Sequence, residues 1–113
     1  MNNVLLIGRV GKDPEIKSFD WGKTATFSLA TSAKWKNKDG EKQERTEWHN
    51  VKATGAVVGV IEKYVHKGDQ LGLTGEIRYN KSEKDGETKY FTEIHLQNLE
   101  LLGSKEPKEA TKP

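Results

Sequence analysis

Thr26 to Gly55 reads TFSLATSAKWKNKDGEKQERTEWHNVKATG, and this stretch decides the fold. It describes two β-strands, Thr26 to about Trp35 and about Arg45 to Thr54. They are joined by a long basic hairpin with Asp39-Gly40 as its turn signal. Side chains alternate along a strand, so Trp48, Asn50, Lys52 and Thr54 share one face of the second strand. His49, Val51 and Ala53 share the other. An aromatic ring thus stands on the polar, cationic face. Trp35 lies near the end of the partner strand among Lys34, Lys36 and Lys38. A flat ring amid positive charge suits a nucleobase stacked on it with a phosphate alongside. The reading predicts both indoles open to solvent on one cationic trough. A solvated charged hairpin explains the charge alone, but not the tryptophans.

The rest of the chain frames that surface. At 113 residues it is expected to be one domain, residues 1–103, with a core that needs neither disulfide nor metal. There is no cysteine, which fits a reducing compartment and excludes a thiol nucleophile. Val4-Leu5-Leu6-Ile7 is too short for a signal segment or a membrane span, and a cytoplasmic location without membrane partners is expected. A formal charge of +2 is weak evidence for a polyanionic partner; the clustering of Lys34, Lys36 and Lys38 without an intervening acid counts for more. His49, His66 and His95 show no ligand spacing and no serine sits in a nucleophile motif, so neither metal, cofactor nor catalysis is expected. Gly22-Lys23-Thr24 has the ending of a phosphate loop, but position 17 is Lys17 rather than glycine and a strand follows instead of a helix.

In chain order, Asn3 to Val10 is the first strand. Its apolar run lacks alternation, so both faces need cover and a subunit contact is expected there. Ile16 to Lys23 reads as a loop carrying Phe19 and Trp21, with Trp21 either a further stacking ring, an interface anchor or a lid over its own loop. Val57, Ile61, Tyr64 and Val65 recur at helical spacing between Gly55 and Gly68. Gln70 to Tyr79 is the fourth strand, Asn80 to Glu87 a polar loop turning at Asp85-Gly86, and Thr88 to about Leu102 the fifth strand. Tyr90, Ile94 and Leu96 share a side there. The parity shift at Leu99 and Leu101 predicts a bulge near Gln97-Asn98. Residues 104–113 read as a short disordered polar tail. Three strands, a helix and two strands is the order of the five-stranded Greek-key OB barrel, an all-β fold with the helix between strands three and four.

Several segments resemble the bacterial-type single-stranded DNA-binding proteins, including those of phages. They are Gly11-Lys12-Asp13-Pro14-Glu15, Phe27-Ser28-Leu29-Ala30-Thr31-Ser32, Gly40 through Val51, Tyr64 with Lys67-Gly68, Gly75, and Tyr90-Phe91-Thr92-Glu93-Ile94. The resemblance runs from about Asn2 to Leu102, and Thr46-Glu47-Trp48-His49 after a charged hairpin is its most specific part. It implies an OB-fold homo-oligomer, a tetramer or else a dimer, that holds single-stranded DNA without sequence preference in replication, recombination or repair. Trp35 and Trp48 fall on base-stacking positions of the family, and His49 on a position near a subunit contact, for which Val4 and Leu6 are the other candidates. Lys34, Lys36, Lys38, Lys52, Arg78 and Lys81 are the candidate phosphate contacts, with Thr54 in the same groove.

The chain departs from the family pattern in three places. Thr54 stands where the family usually has a phenylalanine. Lys81-Ser82-Glu83 replaces a loop that often carries a tryptophan; Tyr79 is the nearest substitute, although its parity points to the core. The chain ends in Lys112-Pro113 without the acidic, phenylalanine-terminated tip that recruits repair and replication enzymes. With rings missing, weaker binding or a smaller site than in a typical relative is expected. Two other readings compete: an OB module that binds protein, favoured by those losses, and a binder of single-stranded RNA.

Overall fold

The alternation around residues 26–54 becomes two long antiparallel strands in the computed structural model, which describes residues 1–103. The elements are β1 (Val4–Val10), β2 (Glu15–Phe19), β3 (Gly22–Lys36), β4 (Lys42–Thr54), α1 (Val57–Tyr64), β5 (Gln70–Lys84) and β6 (Glu87–Gly103). β1 pairs with both β5 and β3; β5 pairs with β6, β6 runs parallel to β4, and β4 pairs with β3. That circuit closes a five-stranded barrel with OB connectivity, and α1 enters between its third and fourth strands, β4 and β5.

One parity of each strand fills the barrel. Ala25, Phe27 and Leu29 of β3 meet Val51 and Ala53 of β4, Leu71 and Leu73 of β5, Ile94 of β6 and Val10 of β1. The helix plugs one end with Val58 and Ile61, followed by buried Val65. The 3.6-residue period therefore selects Val58 and Ile61 as the inward pair, and Tyr64, expected on the apolar side, is exposed. Gly75 marks a tight bend: a Cβ there would lie 2.3 Å from the His95 carbonyl oxygen. At that bend the pairing shifts, with Thr74 opposite Asn98 and Gly75 opposite Leu96, so Gln97 is the extra residue of the expected bulge.

Two expectations change. Residues 15–26 are a hairpin, not a loop: Glu15 to Phe19 pair with Thr26 to Gly22, and only Asp20 and Trp21 turn. Its outer strand has little to bury beyond Ile16, so its pattern reads as loop. Likewise, β5 and β6 stay paired from Asn80 out to Lys84 and Glu87, with the turn at Asp85-Gly86, both at positive φ. This arm extends beyond the core, so no apolar alternation announces it. Tyr79 and Tyr90 keep core parity there but are exposed. In β1, Val4 and Leu6 pack half-buried against the core while Leu5 and Ile7 face outward. The expected disordered tail and the expectation about an acidic tip fall outside the described residues.

Candidate nucleic-acid interface

The site is built on a register that runs without a break from Thr24 opposite Thr54 to Lys36 opposite Lys42. The barrel supports the inner part of this ribbon; the outer part continues past it as a free two-stranded hairpin with both faces in solvent. At its tip the Asn37 side chain accepts hydrogen bonds from the backbone N–H groups of Asp39 and Glu41, both at 2.9 Å, and donates to the Glu41 carboxylate at 3.0 Å. Gly40 supplies the positive φ the turn needs. The tip is thus fixed by its own side chains, and it holds Lys38 outward.

On the outer face of the sheet, Trp48 stands opposite Ala30, Asn50 opposite Ser28 and Lys52 opposite Thr26. Trp48 is 63% exposed. Its ring lies against Gly11, where a Cβ would fall 2.5 Å from Trp48 Cζ3 and 2.7 Å from Ser28 Oγ, so only glycine leaves the indole this seat. Phe91, Thr92 and Asn50 line a shallow hollow beside it. Gly11 and Phe91 adjoin Trp48 in the candidate site, and the sequence reading did not assign them. The signal for Phe91 was its parity, shared with Glu93 and His95 on the outward side of β6.

Trp35 is 47% exposed and lines a depression with Lys34, Lys36, Lys42, Gln43 and Glu44. It pairs with Gln43 and has the parity of Leu29 and His49, so it projects from the opposite face of the ribbon to Trp48. The single trough expected for the two indoles is therefore replaced by two faces of one ribbon. The cause is arithmetic: Trp48 pairs with Ala30, an odd number of residues before Trp35, and each step along a strand changes the face.

The cations divide by partner. Among the described residues, Lys34, Lys36, Lys38, Lys42 and Lys52 form no ion pair within 4.0 Å; Lys42 was not among the sequence candidates. Lys34, Lys36, Lys42 and Lys52 share the face of Trp48, with Glu44 directly opposite Lys34. Arg78 is held by Glu76 at 2.7 Å, and Lys81 stands 3.9 Å from Glu83 on the arm, so neither belongs to the unengaged set. Thr54 is exposed opposite Thr24 on the Trp48 face. His49 is half-buried on the other face, its Nε2 2.8 Å from Thr31 Oγ1. Trp21 stands at the β2–β3 tip and Tyr79 on the arm, both apart from the ribbon. Among the described residues there is no cluster of three or more histidine, aspartate or glutamate side chains suited to a metal ion. The surface offers planar rings, hydroxyl and amide groups and unpaired ammonium groups, which is binding chemistry.

The model of the single-strand binding protein family matches residues 1–102. A single-stranded DNA-binding protein of Bacteroides thetaiotaomicron is 46% identical over 109 residues, which cover 93% of this chain and 68% of the relative. One from Xylella fastidiosa is 44% identical over 107 residues, 93% of this chain and 65% of the relative. The chain thus spans about two thirds of the length of these relatives. In three dimensions, a complex of the Plasmodium falciparum SSB with ssDNA superposes with a TM-score of 0.83 at 35% identity, covering 90% of this chain and 95% of that one. A deletion mutant of the single-stranded DNA binding protein from Thermus aquaticus has a TM-score of 0.79 at 24% identity, over 90% of this chain and 50% of that chain, a likeness of fold.

Proposed function

This chain belongs to the single-strand binding protein family, and on that premise we propose that it binds single-stranded DNA without reading its sequence. The observation that carries the reading is Trp48: an indole 63% exposed, seated on Gly11 in a polar face, with lysines along the same ribbon that form no ion pair among the described residues. Bases stack on the indoles, and each base offers a π-face, so stacking is indifferent to sequence. Lysines displace the cations condensed on the phosphates, which makes affinity fall with salt. Because Trp35 and Trp48 occupy opposite faces, a strand that reaches both passes around the ribbon rather than along one groove. The protein acts as a binding protein of replication, recombination or repair in the cytoplasm, not as an enzyme. No described helix is long and apolar enough to cross a membrane.

Self-association is part of the proposal. Leu5 and Ile7 are exposed apolar side chains on the outer face of β1, and they border a shallow depression with Gly72, Asn98 and Glu100. Such an apolar strip on a polar chain suits a second copy. Replacing both with glutamate lowers the mass seen by light scattering if this strip is the contact.

The test of the function is titration of tryptophan emission with oligo-dT, oligo-U and duplex DNA. Quenching by oligo-dT well ahead of duplex supports the proposal. Equal or stronger binding of oligo-U points to RNA instead, and no response to any of the three points to a protein-binding module.

A further inference from the structure

The β2–β3 tip carries a second aromatic surface that the ribbon does not use. Phe19 and Trp21 stack with ring centroids 5.2 Å apart and planes within 1° of parallel. Both rings are solvent-accessible, Phe19 48% and Trp21 67% exposed. A pre-stacked pair of exposed rings loses little side-chain freedom when a third ring joins it, because neither ring has to be ordered first.

Register fixes where the pair stands. Lys17 pairs with Thr24, and Thr24 in turn pairs with Thr54; Glu15 pairs with Thr26, which pairs with Lys52. Cross-strand partners share a face, so Glu15, Lys17 and Phe19 belong to the outer face that carries Thr54, Lys52, Asn50 and Trp48. From Trp48 to Thr54 the strand advances roughly 20 Å at about 3.3 Å per residue, and the Phe19–Trp21 pair lies beyond that end on the neighbouring hairpin. A strand of nucleic acid leaving Trp48 along Asn50, Lys52 and Thr54 therefore arrives at this pair. Between the two aromatic points the face offers Lys17 and Lys52 as cations, neither in an ion pair among the described residues.

We propose that the Phe19–Trp21 stack is a further base-stacking platform, taking a nucleotide of the same single strand that lies on Trp48. The inference rests on the proposed single-stranded DNA binding and extends it along the sheet. Asp20 stands between the two rings in the chain and Lys17 is the same-face neighbour of Phe19, so the rings contribute stacking and the phosphate contacts fall to Lys17 and Lys52. The platform also supplies a ring at the end of the face where Thr54 provides none.

The chain has three tryptophans, which gives a direct probe. In a Trp35→Phe, Trp48→Phe variant, Trp21 is the sole emitter and stackable rings remain at both other positions. Long oligo-dT at saturation quenches Trp21 emission, whereas an oligomer of a few nucleotides that fills only the Trp48 seat leaves it unchanged. In the otherwise native chain, Trp21→Ala weakens long oligo-dT binding by about five- to a hundredfold and leaves the salt dependence unaltered. Trp21→Phe restores most of it, and circular dichroism checks that the hairpin survives. Unquenched Trp21 at saturation, or unchanged affinity of Trp21→Ala, overturns the platform. If Trp48→Ala still lowers affinity in that case, the DNA-binding reading stands alone. A native chain that binds no oligo-dT ends both.

Discussion

Two long hairpins leave the barrel, and they differ in what their charges are doing. The β3–β4 ribbon carries Lys34, Lys36, Lys38, Lys42 and Arg45 against Asp39, Glu41, Glu44 and Glu47. The β5–β6 arm carries Arg78, Lys81, Lys84 and Lys89 against Glu83, Asp85, Glu87 and Glu93. Composition hardly separates them. Geometry does: among the described residues Arg45 is the one ribbon cation in an ion pair, to Glu47 at 3.5 Å, while Glu41 is turned to the Asn37 amide. On the arm Arg78 is held by Glu76 and Lys81 is near Glu83, while Lys84 and Lys89 form no ion pair among the described residues; Glu93 accepts from the Asn80 amide and lies 3.4 Å from His95 Nε2. A polyanion approaching the ribbon meets free ammonium groups. At Arg78 and Lys81 on the arm it must first compete with carboxylates already in place.

The largest expected effect breaks or upholds that contrast. Replacing Lys34, Lys36, Lys38 and Lys42 together with glutamine should flatten the slope of log affinity against log salt by as much as about 3, at about 0.7 per lost phosphate contact. The pair Arg78→Gln and Lys81→Gln should change the slope by less than about 1. Oligo-dT titrations at several salt concentrations measure both. Equal changes from ribbon and arm would mean that the ion pairs do not hold the arm back.

Next come the rings on the two faces of the ribbon. Trp48→Ala and Trp35→Ala should each cost about 1–3 kcal/mol of affinity for a long oligo-dT. Because the indoles share no neighbour across the ribbon, the two losses should add within a few tenths of a kcal/mol. A short oligomer should register only one of them. Strong coupling on a short oligomer would place both rings against one nucleotide and contradict the opposite-face register.

How much of this was legible in the chain follows from what each segment buries. Val51 and Ala53 alternate because the barrel lies under them, and the turn at Asp39-Gly40 has a local chemical signature, so the OB order and the Trp48 face could be read directly. β2 and the outer arm bury almost nothing, so their pairing leaves no period in the sequence. The side of Trp35 depended on register across a free hairpin. Register there is set at the tip, by Asn37 and Gly40, and not by any apolar pattern at positions 31–36. Ion pairing was out of reach for the same reason: whether Arg78 is free depends on Glu76 reaching it at 2.7 Å, and no residue count reveals that. Gly11 and Phe91 are far from Trp48 in the chain and become its neighbours only when β1 and β6 close against the ribbon.

The smallest effect concerns how the ribbon's ring is seated. Gly11→Ala would place a methyl group 2.5 Å from Trp48 Cζ3 and 2.7 Å from Ser28 Oγ, but both atoms belong to side chains that can rotate aside, not to backbone. The cost is that of an off-rotamer indole, about 0.5–1.5 kcal/mol, and it should appear in affinity and in Trp48 emission rather than in the unfolding midpoint. Gly75→Ala is the control from the barrel, where the new methyl meets the His95 carbonyl at 2.3 Å and backbone has to move. That variant should lose about 1–3 kcal/mol of stability, with little change in affinity per folded molecule. If Gly11→Ala lowered the melting temperature as much as Gly75→Ala did, the Trp48 seat would be part of the barrel's packing, and the separation between a rigid frame and an open ribbon would not hold at this point.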